Sequence, residues 1–392
     1  MNNSTSCTAE PGVSLGPGQT IPSVSATARL MSIDALRGFD MFWIVGAEGL
    51  VRALERISNT GPVKVLANQL HHKAWEGFAF EDLIFPLFVF IVGVSLVFSL
   101  SKSLAQGTKA EAYKRICRRA LFLFLLGIVY SGGVSKAWPD IRLLGVLNRI
   151  ALCYLFASLI FCNFKVKGII TIAVGLLAGY WALMTFVPVP GIGAGSFAPG
   201  ANLANYLDKL YLPGHRYDGD WDPEGLLSTL PAVATCLLGV LAGLLLRDST
   251  VSERRKVACL MGGGLLAVLL GFLWGLQFPV IKKIWTSSYV LVAGGYSAML
   301  LGGFYLVVDL WKWQSWAQPF VWIGMNPITI YLLENVFDFE KLAARFVGGD
   351  VKAFFDAVVV KGFGDLVLAV VALGFCFLLA HFLYRKRIFL RL

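Results

Sequence analysis

Apolar runs of about 18 to 21 residues recur along nearly the whole chain, separated by short polar segments. Wound as helices, runs of that length match the hydrocarbon thickness of a bilayer. They predict ten membrane-crossing helices, at about 35–52, 83–100, 120–135, 143–162, 168–187, 226–246, 257–276, 289–309, 319–337 and 364–384. The third is short and Gly-rich. Residues 338–363 instead mix charged and apolar positions amphipathically (FDFEKLAARFVGG…), which predicts a segment lying along the membrane surface. Residues 1–28 are rich in Ser, Thr, Gly and Pro and hold no apolar core, so they read as a disordered tail before one transmembrane domain, 29–392. The expected fold class is all-α, a polytopic transmembrane bundle.

Composition agrees: only 15% of residues are charged, against about 25% in a soluble domain. The formal charge of +10 is unevenly placed. Lys102 to Arg119, Lys165 and Lys167, Arg247 to Lys256, and Arg385 to Arg391 alternate onto one face, while the loop at 188–225 is acidic (Asp208, Asp218, Asp220, Asp222, Glu224). The positive-inside rule then puts both termini in the cytoplasm and His72 on the opposite side. The basic charge is therefore a topology signal, and no nucleic-acid partner is expected. Seven cysteines form no CxxC and no metal-ligand spacing, so no metal is expected.

Candidate chemistry begins at 72–93, HKAWEGFAFEDLIFPLFVFIVG. His72 stands with Glu76, Glu81 and Asp82 where a long apolar run begins. Imidazole beside a carboxylate is an acid/base pair; the alternative is a histidine and tryptophan at a membrane interface. Within the spans, Asp34 and Arg37 share a helix face and can pair, either as a site or as an anchor. Asn148 and Arg149 lie in GVLNRIALCYLF. Arg149 falls about two turns inside its span, roughly 9 to 10 Å deep. It is suited to a phosphate, a carboxylate or a cluster of backbone carbonyls, either in a ligand site or with a structural partner such as Asp34, Asp82 or Glu224. Asn326 and Glu334 fall on one face of a span broken by Pro327. In DPEGLL, Asp222 and Glu224 meet the positive end of a helix, and Glu224 is a second carboxylate at the mouth near His72. Lys282, Lys283, Trp285, Ser288 and Tyr289 form another polar rim.

RLMSIDALRGFDMF, the His72 segment, RLLGVLNRIALCY, YDGDWDPEGLLSTLPAV, FPVIKKIWTSSYVL and WIGMNPITIYLLEN follow one another along the chain. In that order they resemble the catalytic region of the heparan-α-glucosaminide N-acetyltransferases, from Arg29 to about Asn335. The resemblance implies transfer of acetyl from cytosolic acetyl-CoA, a co-substrate, to a glucosamine-type amine across the membrane; in the lysosomal member the acceptor is heparan sulfate. His72 takes the position of the active-site histidine, as base or as nucleophile. Asp82 or Glu224 would orient it, and Asn148 and Arg149 would hold the thioester oxyanion. Arg37 would meet a CoA phosphate while the pantetheine arm threads the bundle. Asp34, Lys282, Ser288 and Asn326 complete the expected donor and acceptor contacts. Two departures stand out: the lysosomal enzyme's lumenal domain and one further span are missing, and Glu334 replaces an expected histidine. The expected setting is a bacterial cytoplasmic membrane, with lipid and an amino-sugar or glycan acceptor as partners; a homodimer is compatible with the resemblance. The alternatives are O-acetylation of a cell-envelope glycan and small-solute transport.

Overall fold

The computed structural model describes residues 30–58 and 60–389; the tail expected at 1–28 lies outside them. The described residues fold into helices and loops, joined only by isolated bridges such as Glu76 to Ile281. Helices α1 (Met31–Phe42) and α2 (Glu48–Ile57) are joined by a π-helical turn kinked at Gly46. A short α3 (Gly61–Gln69) precedes the long α4 (Glu81–Gln106) and α5 (Lys109–Tyr130). Then come α6 (Val146–Asn163), α7 (Val166–Phe186), the loop helix α8 (Leu203–Tyr211), α9 (Thr229–Arg247), α10 (Glu253–Gly275) and α11 (Ser287–Phe304). Helices α12 (Gln318–Gly324) and α13 (Pro327–Phe337) meet at a 70° bend. The small helices α14 (Phe339–Val347) and α15 (Asp350–Val358) pack on the last, α16 (Phe363–Arg385).

Among the described residues, seven helices are long and apolar enough to cross a membrane, or eight if the bent α12–α13 pair is one span. These eight correspond to ten expected spans less two. The span expected at 35–52 is interrupted at Gly46. The one expected at 120–135 is the second half of α5, whose first half carries Lys109, Glu111, Lys114, Arg115, Arg118 and Arg119.

Glycine sets how closely the central helices approach. A Cβ on Gly93 of α4 would lie 2.0 Å from the Cys236 carbonyl of α9, and one on Gly239 would lie 2.0 Å from that of Phe90. Small residues let membrane helices gain dispersion contact that water cannot drive there. At one end of the bundle, Asp309 accepts from the backbone N–H groups of Met31 and Ser32, which satisfies donors at the start of α1. The basic starts of α5 and α10 lie at that end too. The starts of α4, α6, α9 and α11 converge at the other end, and the candidate site sits there.

Candidate active site at the starts of α4, α9 and α11

The loop before α4 is pinned on both sides. Gly77 adopts φ +115°, a region open to glycine, and donates its N–H to Val280 (2.9 Å) in the loop between α10 and α11. Trp75 Nε1 donates to Phe197 O (2.9 Å). The α10–α11 loop is itself held in a tight shape. Trp285 takes φ +52°, costly for a bulky residue. It is held there by full burial, by Nε1 donating to Thr235 Oγ1 (3.1 Å), and by edge contacts with Phe85 and Tyr289. The turn before it presents Lys282 towards α4.

His72, Asp82 and Lys282 therefore converge. His72 Nδ1 lies 3.1 Å from Asp82 Oδ1, and Lys282 Nζ lies 3.1 Å from the same nitrogen and 3.5 Å from the same oxygen. Asp82 Oδ2 accepts from the N–H groups of Ala79 (3.1 Å) and Lys73 (3.3 Å). Tyr289 Oη donates to the Asp82 carbonyl (2.7 Å). The Asp82 side chain is 1% exposed and that of His72 58%. Nδ1 cannot both donate to Asp82 and accept from an ammonium. Two backbone donors fix Asp82 as an acceptor, so Nδ1 carries the hydrogen, Lys282 shares Oδ1, and Nε2 keeps its lone pair on the open side. Burial pushes the Lys282 ammonium down from its usual range, against the pull of Asp82, Glu81 and Glu224.

A second charged group closes the mouth. Arg142 grips Asp222 through two hydrogen bonds (2.8 and 2.7 Å) and Glu224 through a third (2.6 Å), with Tyr217 across its guanidinium face. Burial works against the charge on both acids. The direct bonds from Arg142 and from backbone N–H groups win at Asp222, holding it below the usual carboxylate range, while burial leaves Glu224 above it. Behind them, Asp208 accepts from Leu226 N (2.8 Å), and burial pushes it up to about 6.

The cavity between these groups measures about 390 Å³. His72, Asp82, Glu224, Lys282, Glu81 and Arg142 line it. It shares Ile44, Phe85, Val146 and Tyr331 with a narrow apolar waist of about 20 Å³. The waist in turn shares Phe88, Ile150 and Ile328 with an inner cavity of about 130 Å³. Arg37, Ser95, Arg119, Asn326 and Thr329 bring polar groups to that inner cavity. Arg37 donates to Ser95 Oγ (2.5 Å) and to Gly324 O (3.2 Å), with Asp34 3.6 Å away. Arg119 Nε and Thr329 Oγ1 are buried and have no hydrogen-bond partner.

Other expected site residues lie elsewhere. Arg149 is in the first turn of α6, not two turns deep, because the helix starts at Val146 rather than 143. It is fully buried behind Trp285, donating to Ser228 Oγ (2.5 Å) and Gly225 O (3.1 Å), and does not line the cavity. Asn148 ties α6 back to α5 through Phe124 O (2.8 Å). Ser288 is buried and donates to Phe278 O (2.6 Å). Glu334 lies past the bend on α13 and lines neither cavity; Asn326, which does line the inner cavity, stands at the start of that helix and donates to Ile388 O (2.9 Å). Arg142, Arg119 and Thr329 are not singled out as site residues by the sequence. In sequence Arg142 is one more cation beside an apolar run, and its acidic partners lie 80 residues and more away. Among the described residues no group of three or more His, Cys, Asp or Glu could hold a metal ion.

A helical bundle of long apolar helices, with a histidine–aspartate pair at one mouth and a cavity leading inwards, is the architecture of a polytopic membrane protein. Residues 29–272 match the family model described as heparan-alpha-glucosaminide N-acetyltransferase, catalytic, and the chain belongs to that family. It is 28% identical to heparan-alpha-glucosaminide N-acetyltransferase from Mus musculus and to that from Homo sapiens, over 92% of its own length in each case. The chain spans 61% and 59% of those two relatives. A shorter stretch, 26% of the chain, is 38% identical to part of human calcium homeostasis modulator protein 1.

Proposed function

We propose that this protein transfers an acetyl group from acetyl-CoA to the amine of a glucosamine-type sugar, across the membrane. The observation that carries the reading is the run of cavities from the His72 mouth through an apolar waist to a cationic inner pocket. A thioester at the end of a long arm needs such a path: its carbonyl must reach the base while its phosphates stay with cations. Ser95, which lines the inner cavity, lies 14 residues along α4 from Glu81, about 21 Å at 1.5 Å per residue. Arg37 and the unpartnered Arg119 Nε and Thr329 Oγ1 would hold the donor's phosphates and amides.

At the mouth, His72 Nε2 takes a proton from the acceptor amine as its nitrogen attacks the thioester carbonyl. The C–N bond forms, the C–S bond breaks, and the proton passes from imidazole to the leaving sulfur. Asp82 holds the ring with Nε2 outwards and stabilises the imidazolium. Lys282, beside them, supplies positive charge near the developing oxyanion. We assign the end with the basic loops to the cytoplasm and the acceptor to the outside, with both termini cytoplasmic, because the positive-inside rule favours that orientation.

The test is acetyl-CoA turnover by purified protein in detergent, with and without glucosamine. Glucosamine-dependent CoA release is expected, falling by about 10²–10⁴-fold in His72→Ala. Wild-type turnover in that variant would remove His72 from the reaction. Uptake of solute by reconstituted protein without acetyl-CoA would favour transport instead.

A further inference from the structure

The charged groups lining the outer cavity are matched one against another, apart from Lys73 at the rim and one carboxylate on the first turn of α4. Asp82 is matched by His72 and Lys282, Glu224 by Arg142, and Lys283 by Asp218 at 3.0 Å. Glu48 has an exposed partner in Arg52 (2.9 Å), and Lys73 sits exposed at the rim. Glu81 lies within electrostatic reach of His72 and Lys282 but makes no ion pair within 4.0 Å among the described residues, and its Oε2 is buried without a hydrogen-bond partner. Behind it, within electrostatic reach, Asp40 is fully buried and neither of its carboxyl oxygens has a partner. The indole Nε1 of Trp43, also lining the cavity, is buried and unpartnered. Buried polar groups are almost always hydrogen-bonded, so the unmet Glu81 acceptor lining an open cavity is a place for a donor-rich ligand group.

We propose that Glu81 receives the ammonium of the acceptor and so selects amines over alcohols. The proposal rests on the acetyl-transfer reading for its role but not for its test. An ammonium brings three donors and a charge, which a hydroxyl cannot match. In transfer, Glu81 takes the ammonium's first proton and loses it to water at the open mouth. His72 takes the second as the C–N bond forms, and that proton ends on the sulfur.

Binding without acetyl-CoA tests the assignment. Glucosamine and N-acetylglucosamine, the second lacking the cationic amine, would be titrated into wild type and Glu81→Gln, read by fluorescence of the cavity tryptophans. Glucosamine should bind the variant roughly 10-fold more weakly, while N-acetylglucosamine binds both alike and shows the cavity intact. Equal glucosamine affinity in the two proteins, or no saturable binding to wild type, would overturn the proposal. Glu81-dependent binding with no CoA release in any turnover assay would leave the ammonium site standing and remove the transferase reading.

Discussion

Asp208 shows how a single side chain in the outer loop can make stability depend on pH. Its carboxyl is buried beneath the Asp222–Gly225 turn and pushed up to about 6, from an ordinary 3.8, chiefly by that burial. Between those values the folded protein holds a proton that the unfolded chain has lost. Stability therefore falls as pH rises from about 4 to about 6, and the loss is complete above that. A rise of that size corresponds to roughly 3 kcal/mol. Thermal unfolding in detergent should show wild type gaining stability relative to Asp208→Asn as pH drops through this window. Parallel curves would mean that Asp208 does not titrate there. None of this can be read from LDKLY in the sequence, where Asp208 looks like one acid of a solvated loop. By contrast, His72 and Asp82 stand together in one segment at a helix start, which makes Asp82 a legible candidate beside Glu224, and the structure pairs His72 with Asp82.

Among elements, the mouth depends on joining the segment before α6 to the turn before α9. Arg142 is the joint: it is 17% exposed, against 0% for the Asp222 side chain and 11% for that of Glu224. Arg142→Ala would leave two buried carboxylates without their cation. Breaking such a pair costs about 3–5 kcal/mol, far more than the pair contributes against an apolar replacement. The expected result is a large drop in thermal stability and loss of glucosamine-dependent turnover. Arg142→Lys should recover part of the stability, since a point charge cannot reproduce the two-bond grip on Asp222. Unchanged melting in Arg142→Ala would show the network to be dispensable. Helix positions are largely legible in the sequence because hydrophobic run length is a local property. The breaks are unevenly so: Pro327 already marks the α12–α13 bend, whereas the kink at Gly46 lies within an apolar window that registers only length. Arg149 illustrates the same limit. Run length overestimates its depth because Leu143, Leu144 and Gly145 are apolar yet form the approach to α6 rather than its first turn.

For the whole molecule, the transferase reading requires that the two cavities communicate through the waist, and Ile328 is where that can be tested. It lines both the waist and the inner cavity, at the start of α13 just past Asn326 and Pro327, and is only partly buried. Ile328→Trp should fill the roughly 20 Å³ constriction without touching His72, Asp82 or Glu81. Because the waist is narrow and nearly all apolar, added ring volume has nowhere to go except into the path. A donor arm that reaches His72 from the cationic end would be stopped, so acetyl-CoA-dependent turnover should be lost. Glucosamine binding at the outer mouth should persist, which separates a blocked path from a misfolded protein. Full turnover with bound glucosamine would mean that the donor reaches the base from the outer side. The inner cavity around Arg37 and Arg119 would then have no part in holding it, and the transmembrane direction of transfer would fall while the chemistry at His72 stood.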